Sequence, residues 1–145
     1  HLNILKKFWG KIGSNVVIMN SKTHDKIFSI TSHLPHLIAY NLIKTATDFE
    51  RQQKFELIKY SAGGLRDFSR IAASNEIMWR DIFFNNQKNI IKAIDLFIKN
   101  LCSFKEDIKT KNSKLIIKKL KETKKVRKKI IKLKQDINKP DFGRF

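Results

Sequence analysis

Apolar residues recur every three or four positions along most of this chain, the pattern of amphipathic helices. One such helix is predicted over residues 24–47, and Pro35 interrupts it. Proline removes a backbone donor and clashes with the preceding turn, so it either kinks this helix or lies in the first turn of a second helix capped by Ser32. The apolar stripe comprises Ile27, Ile30, Leu34, Leu37, Ile38, Leu42 and Ile43.

Two long helices are predicted in the second half of the chain. The longest begins at a cap formed by Ser74 or Asn75, and its apolar face is wide enough for a bundle core or a dimer interface. The last helix keeps its apolar period among many lysines, and we expect Pro140 to end it. The apolar positions are Ile90, Ile91, Ile94, Phe97, Ile98, Leu101, Cys102, Phe104 and Ile108 in the longest helix, and Ile116, Leu120, Val126, Ile130, Leu133 and Ile137 in the last.

The start of the chain follows a different pattern. Residues 2–9 predict a short helix, Gly13 its end, and the apolar run over residues 16–19 a strand. Helix, glycine and strand form a unit of α/β domains, which so short a segment cannot bury alone. We therefore assign residues 1–20 to the terminal helix and strand of an upstream domain and residues 21–145 to a helical domain, and we expect the chain to be a piece of a longer protein.

A further helix is predicted over residues 50–60. Phe55 and Ile58 are its inward positions, and the pair Gly63-Gly64 is expected to end it. Adjacent glycines permit left-handed backbone angles and a close approach of the chain to a ligand.

The composition fits one mainly helical domain, since only 5 Gly and 2 Pro occur among 145 residues. No apolar run is long enough to span a membrane, and no signal-peptide pattern is present, so neither membrane insertion nor secretion is supported. The single cysteine, Cys102, excludes an internal disulfide. We therefore expect a cytoplasmic protein.

The formal net charge of +18 raises the question of nucleic-acid binding. Residues 109–139 contain fourteen Lys or Arg against Glu122 and Asp136, so this stretch alone supplies +12. Lysine outnumbers arginine 25 to 6, whereas arginine would be expected to dominate a surface that recognises bases or phosphates. We interpret the stretch as a solvated lysine face and expect no nucleic-acid partner.

Three histidines and an aspartate lie close together in the sequence: His24, Asp25, His33 and His36. Two histidines three residues apart on a helix can bind one metal ion. However, no glutamate follows in the zinc-protease arrangement, and Pro35 lies between His33 and His36, so we expect no metal. Core or capping histidines and ligand-binding histidines are the other interpretations, and we favour ligand binding.

Two arginines and an aspartate follow the double glycine: Arg66, Asp67 and Arg70. An arginine fork matches a carboxylate with two parallel hydrogen bonds, and a neighbouring aspartate can hold that fork in place. The alternative is an ordinary ion pair at a helix end, which carries little energy if exposed. Met78 and Trp79, judged by residue type alone, favour the core over a ligand wall.

Three segments resemble the C-terminal region of the prephenate and arogenate dehydrogenases of tyrosine biosynthesis, the TyrA family. The match runs in order over essentially the whole chain, and its motifs are long and unusual. The segments are Ser32-His-Leu-Pro-His36, Gly63-Gly-Leu-Arg-Asp-Phe-Ser-Arg-Ile-Ala-Ala-Ser74 and Met78-Trp-Arg-Asp-Ile-Phe83, together with His24-Asp25 and Pro140-Asp-Phe-Gly-Arg144.

The resemblance implies an N-terminal Rossmann domain that binds NAD or NADP, and a helical C-terminal domain that dimerises and supplies part of the substrate site. Residues 1–20 would then end the Rossmann domain, so the expected fold is mainly α with a short α/β remnant. The implied reaction is the oxidative decarboxylation of prephenate or arogenate by a homodimer, and tyrosine inhibition is implied by analogy.

The resemblance also implies roles for individual residues. Arg70 would bind a substrate carboxylate, and His36 would contact the same ligand. Asp67 would belong to the ionic network around Arg70, and Gly64 would let the backbone approach the ligand. The residues expected to line or support the pocket are Ser32, His33, Trp79 and Asp25, the last from a partner subunit.

Two family segments are absent from the sequence: the glycine-rich cofactor turn, and His-Pro-x-x-Gly, whose histidine is the catalytic partner of the substrate hydroxyl. We therefore expect no catalytic residue in this chain and no turnover by the chain alone. Leu65 and Ser69 replace the Phe and Thr of many relatives, which are mild changes.

Two alternative functions stay open, a non-catalytic dimerisation or regulatory module and a basic nucleic-acid binder. The sequence does not distinguish prephenate from arogenate or NAD from NADP, and it leaves tyrosine feedback and further domains undetermined.

Overall fold

The computed structural model describes residues 1–136. This part of the chain is helical and contains no strand, which confirms the mainly helical fold. The helices are α1 (Leu2–Lys11), α2 (Ser21–Phe28), a π-helical turn (Ser29–His33), α3 (Leu34–Gln53), a 3₁₀ turn (Ile58–Tyr60), α4 (Gly63–Ala72), α5 (Glu76–Asn85), α6 (Gln87–Lys109) and α7 (Ser113–Lys132).

Gly13 terminates helix α1, as predicted, from its position two residues after Lys11. Gly13 has φ +85°, and its N–H donates to the carbonyl of Gly10 at 3.1 Å, while Ser14 N–H donates to the carbonyl of Trp9 at 3.0 Å. This pair of bonds is a Schellman motif, which favours glycine at the left-handed position. Residues 14–20 form no regular element. The predicted strand over residues 16–19 is therefore wrong for the described chain, because a strand needs hydrogen bonds to a neighbouring strand.

A π-helical turn joins α2 to α3. The N–H of Leu34 donates to the carbonyl of Ser29, five residues earlier, and Pro35 lies in the first turn of α3. The wider turn accommodates a proline ring that would clash with an α-helical turn before it. Of the two alternatives for Pro35, the structure shows the first turn of a second helix. The predicted cap is wrong, because the capping position of α3 is His33 and not Ser32. The His33 side chain makes no capping hydrogen bond, since the chain enters α3 from another helical turn.

Helix α3 ends later than the sequence pattern predicts, since it continues past residue 47 into the segment assigned to the next helix. It stops at Gln53, and Lys54 takes the left-handed conformation with φ 54°. Residues 50–60 therefore do not form one helix, and Gly63 and Gly64 begin α4 instead of ending a helix. Within residues 1–136 the left-handed glycine is Gly13, so the double glycine has ordinary helical angles.

Asn86 divides the predicted longest helix into α5 and α6. Asn75 caps α5 as expected, since its Oδ1 accepts a hydrogen bond from Met78 N–H at 2.9 Å. Asn86 itself has φ −110° and ψ 27°, outside the helical range. The break directs α6 against the π-helical turn, where the two elements pack.

The core of the single protomer is small. Its buried apolar residues among those described are Ala39, Trp79, Ile90 and Ala93. On α6 the predicted apolar face is only partly covered, because Ile90 is buried whereas Ile98, Leu101 and Ile108 are each more than half exposed. The protomer therefore presents a large uncovered apolar surface.

Helices α6 and α7 form a hairpin held by one polar cluster. Lys119 on α7 pairs with the buried carboxylate of Asp107 and donates to Ser103 Oγ at 2.6 Å. Helix α7 ends at Lys132, earlier than the predicted stop. Ile137 and the segment Pro140 to Arg144 lie outside the described residues. No helix in residues 1–136 has the length and apolar character needed to cross a membrane.

Candidate functional site

Two histidines on either side of Pro35 contact the buried indole of Trp79. The imidazole of His36 is stacked on Trp79, with ring centroids 3.7 Å apart and planes inclined by 22°. His33 meets the same indole edge-on at 6.2 Å. Trp79 is only 5% exposed and also contacts Phe83. The structure thus brings together three of the predicted site residues, which lie on different helical segments.

The hydrogen bond of His36 fixes its tautomer. Nδ1 lies 2.9 Å from the carbonyl oxygen of Ser32. A carbonyl only accepts, so Nδ1 of His36 carries the hydrogen. In the neutral imidazole Nε2 is then an acceptor, and it is neither buried nor bonded within residues 1–136.

His33 has the opposite tautomer. Nδ2 of Asn86 donates to the carbonyl of Asp25 at 2.7 Å, which identifies that atom as the amide nitrogen, and it also lies 3.2 Å from Nδ1 of His33. Nδ1 must therefore accept, and Nε2 carries the hydrogen. Like that of His36, this Nε2 is neither buried nor bonded within the described chain. The two imidazoles thus offer one donor and one acceptor to a ligand.

Electrostatics favour the neutral form of His33. Burial lowers the pKa of His33 below its ordinary value of 6.5, and His24 and His36 lower it further, whereas Asp25 raises it. A neutral ring is what the hydrogen bond from Asn86 requires, because a cation would direct a hydrogen at the amide N–H.

Arg70 and Asp67 lie exposed on α4, which packs against α3. The hydroxyl of Tyr40 on α3 donates to the carbonyl of Ser74 at 2.9 Å and ties down the end of this segment. Within residues 1–136 neither Arg70 nor Asp67 has a side-chain hydrogen bond or an ion pair. The expected Asp67–Arg70 contact is therefore not formed in this structure, because an exposed pair gains too little to hold two side chains in one geometry. The guanidinium is open to an anion.

The other predicted residues occupy supporting positions. The carbonyl of Ser32 accepts from His36, and Oδ1 of Asp25 accepts from Nδ1 of His24 at 3.1 Å. Around Gly64 no heavy atom lies within 4 Å of an added Cβ, so the protomer itself does not require glycine there. The described residues contain no group of three or more histidine, cysteine, aspartate or glutamate side chains placed to hold a metal ion.

Asn86 is a site component that the sequence pattern did not reveal. It is 6% exposed, and Nδ2 of Asn89 donates to its Oδ1 at 2.7 Å. The available signal was an asparagine pair, Asn85-Asn86, in the interior of a long predicted helix, where asparagine is a poor helix former.

Comparisons with known proteins agree in pointing to one family. The family model described as "Prephenate dehydrogenase, dimerization domain" matches residues 20–122. A cyclohexadienyl dehydrogenase of Zymomonas mobilis is 34% identical over 120 residues, which cover 83% of this chain and 41% of that protein. A prephenate dehydrogenase of Bacillus subtilis is 35% identical over 98 residues, covering 67% of this chain and 26% of that protein.

Solved structures show the same similarity. The crystal structure of prephenate dehydrogenase from A. aeolicus, in complex with hydroxyphenyl propionate and NAD⁺, superposes with a TM-score of 0.81 at 40% identity. The superposition covers 89% of this chain and 45% of the A. aeolicus chain. The chain therefore spans less than half the length of the relatives it matches.

Proposed function

The chain belongs to the family of prephenate dehydrogenase dimerisation domains, and we propose that it forms the substrate-binding, C-terminal part of an NAD(P)-dependent prephenate or arogenate dehydrogenase. The observation that carries this proposal is the pairing of His33 and His36 on the indole of Trp79, with a donor and an acceptor Nε2 left for a ligand. Family membership supports prephenate or arogenate as that ligand.

The substrate class suits this arrangement. Prephenate carries two carboxylates and a ring hydroxyl, and arogenate replaces the side-chain keto group by an amine. Arg70 is assigned to a carboxylate, since a guanidinium can donate two parallel hydrogen bonds to it. The Nε2–H of His33 suits a second anionic oxygen, and Nε2 of His36 suits a hydroxyl. Fixed donors hold the substrate in one orientation, which lowers the entropic part of the barrier.

The remaining predicted residues shape and close the pocket in this proposal. Trp79 provides a rigid wall that keeps His36 in place, and Ser32 fixes the tautomer of that histidine. Gly64 leaves room at the start of α4 for a ligand or a partner subunit. Asp67 joins Arg70 when the site is occupied, and Asp25 reaches the pocket of the partner subunit. The family resemblance supports these roles.

The cofactor does not fit on this chain. The sequence lacks a Gly-x-Gly-x-x-Gly turn, and residues 1–136 contain no strand to carry one. NAD or NADP would therefore be held by another domain of the complete protein, which would also supply the group that takes the proton of the substrate hydroxyl. This chain contributes the binding and orientation of the substrate, and we expect no turnover by the chain alone.

Residues 1–20 are proposed to be the terminal segment of that cofactor domain, with α1 and the irregular stretch that follows it, and residues 21–145 the helical domain. The family match begins at residue 20, close to this boundary. Helix α1 has no buried residue, and Leu2, Phe8 and Trp9 are each about half exposed or more. Such a segment suits the edge of a larger domain better than an independent unit.

A homodimer is the proposed assembly. The matched family model is a dimerisation domain, and the uncovered apolar side chains of α6 offer the area that a second copy would bury. Cytoplasmic location and inhibition by tyrosine, which shares its alanyl group with arogenate, belong to the same proposal.

Arg70 provides the sharpest test of substrate binding. In the complete gene product, Arg70→Ala should raise KM for prephenate or arogenate about tenfold to a hundredfold, because a charge-assisted hydrogen-bond pair is lost. Arg51→Ala, which removes an exposed arginine in the last turn of α3, is the matched control and should leave KM unchanged. Production of NAD(P)H at 340 nm measures both.

Equal KM values for the two variants would contradict the assignment of Arg70. A complete, folded gene product that binds neither substrate would instead favour a non-catalytic dimerisation or regulatory module.

A further inference from the structure

Asn86 connects parts of the site that lie far apart in the sequence. It lies at the break between α5 and α6, almost fully buried. Its Nδ2 donates to the carbonyl of Asp25 and to Nδ1 of His33, and its Oδ1 accepts from Asn89. Both the donor and the acceptor atoms of this one amide are thus engaged, so its orientation is determined by the protein.

We propose that Asn86 is a positioning residue that holds His33 in the Nε2–H tautomer, so that this imidazole presents a hydrogen-bond donor to an anionic substrate. The substrate part of this inference rests on the proposed function. Asn86 acts through His33 and is not itself assigned a contact with the substrate.

The amide cannot be reversed without penalty. Turning it would place its oxygen 2.7 Å from the carbonyl of Asp25 and its nitrogen against Nδ2 of Asn89, which would break two hydrogen bonds of a buried group. With the amide fixed, the other tautomer of His33 would direct a hydrogen on Nδ1 at the N–H of Asn86. The Nε2–H tautomer is therefore the one that satisfies every atom of the network.

The groups around His33 agree with this assignment. Those that affect it electrostatically are His24, Asp25 and His36, and burial adds to the effect of the two histidines in favouring a neutral ring. His36, stacked on the same tryptophan, has the opposite tautomer because its Nδ1 donates to the carbonyl of Ser32. Asn86 thus makes the two neighbouring imidazoles complementary, one able to bind a carboxylate oxygen and the other a hydroxyl.

The test replaces the amide by a carboxylate of nearly the same shape. In the complete gene product, Asn86→Asp turns the donor into an acceptor, so the hydrogen of His33 should move to Nδ1. The ¹⁵N chemical shifts of the two ring nitrogens report this directly. We expect KM for the substrate to rise about tenfold with kcat changed less than about threefold, because one hydrogen bond to a charged group is lost.

Asn85→Asp is the matched control. Asn85 is the exposed neighbour, and its Nδ2 donates only to the carbonyl of Asp81, at 2.8 Å, among the described residues. The control should leave both the ¹⁵N shifts of His33 and KM unchanged.

A second pair of variants keeps Asn86 intact and therefore does not depend on how well Asn86→Asp folds. In His33→Gln the amide nitrogen lies near the position of Nε2 and can replace its N–H as a donor to the substrate. In His33→Asn the amide nitrogen lies near the position of Nδ1 and cannot. We expect His33→Asn to raise KM about tenfold more than His33→Gln does.

Three results would overturn the inference: an Nδ1–H tautomer in the wild-type protein, an unchanged tautomer in Asn86→Asp, or equal KM values for the two His33 variants. If the wild-type protein oxidised neither substrate, the proposed function would fail, and the substrate part of this inference with it. The NMR result would still decide whether Asn86 controls the tautomer of His33.

Discussion

His36 on α3 and Trp79 on α5 lie face to face, with ring centroids 3.7 Å apart. Because His36 also donates Nδ1–H to the carbonyl of Ser32, its ring is fixed both in orientation and in tautomer. Trp79 is buried and belongs to the core, yet it supports the two histidines that carry the proposed site. Trp79 can therefore be a core residue and also form one wall of the proposed site.

Trp79 should be a major source of stability. Trp79→Ala removes one of the few buried side chains and should lower the free energy of unfolding by about 3–5 kcal/mol. Trp79→Phe keeps an aromatic partner for His36 and removes a buried N–H that has no partner within the described chain. This variant should therefore lower the free energy of unfolding by less than about half as much as Trp79→Ala does. Urea denaturation measures both. Equal losses in the two variants would contradict this account.

His33 should make stability depend on pH. Because burial lowers its pKa, the unfolded chain binds more protons than the folded chain at pH values between the lowered pKa and 6.5. The contribution of neutral His33 to the free energy of unfolding is therefore complete above pH 6.5. It is lost as the pH falls through the lowered pKa of His33 in the folded state. Urea denaturation of the wild type and of His33→Gln, repeated from about pH 7 to about pH 5, should show a steeper decline in the wild type. Parallel curves would refute the prediction.

The sequence predicts the helical fold well, because apolar spacing records which face of a helix is buried. It also predicts the features that depend on single residues with strong local preferences, such as Gly13 at the end of α1 and Asn75 at the start of α5. The family resemblance rests on the same kind of local signal, and the match over residues 20–122 confirms it.

The remaining differences come from tertiary contacts. The double glycine begins α4 because Lys54 had already ended α3 in a left-handed conformation that lysine adopts less readily than glycine. The break at Asn86 depends on its bonds to Asp25 and His33, which lie more than fifty residues earlier. A strand over residues 16–19 depends on a neighbouring strand that the described residues do not contain.

Gly64 should matter for the ligand and not for the fold. Its angles are helical and an added Cβ has free space, so Gly64→Ala should raise the free energy of unfolding by about 0.4–1 kcal/mol. If the backbone approaches the substrate there, the same change should raise KM about tenfold in the complete gene product. Gly63→Ala is the matched control, with equally open surroundings, and should stabilise the protein without affecting KM. Identical KM values would argue against a ligand at Gly64.

Leu101 should contribute to the dimer interface. It is 55% exposed on α6 although it continues the apolar stripe of that helix. Leu101→Lys should weaken dimerisation by at least about tenfold, because a charge would be buried in an apolar interface. Light scattering over a range of concentrations measures the change. Asn100→Lys adds the same charge one residue earlier and should leave the dimer intact. An unaffected dimer in Leu101→Lys would place the interface elsewhere.

The central claim is that this chain is the substrate-binding part of a dehydrogenase. The most direct test is the absorbance of NADH or NADPH at 340 nm when the complete gene product is mixed with prephenate or arogenate and NAD⁺ or NADP⁺. We predict oxidation of at least one substrate by the complete protein and none by residues 1–145 alone. A well-folded complete protein that oxidises neither substrate, with either cofactor, would contradict the account.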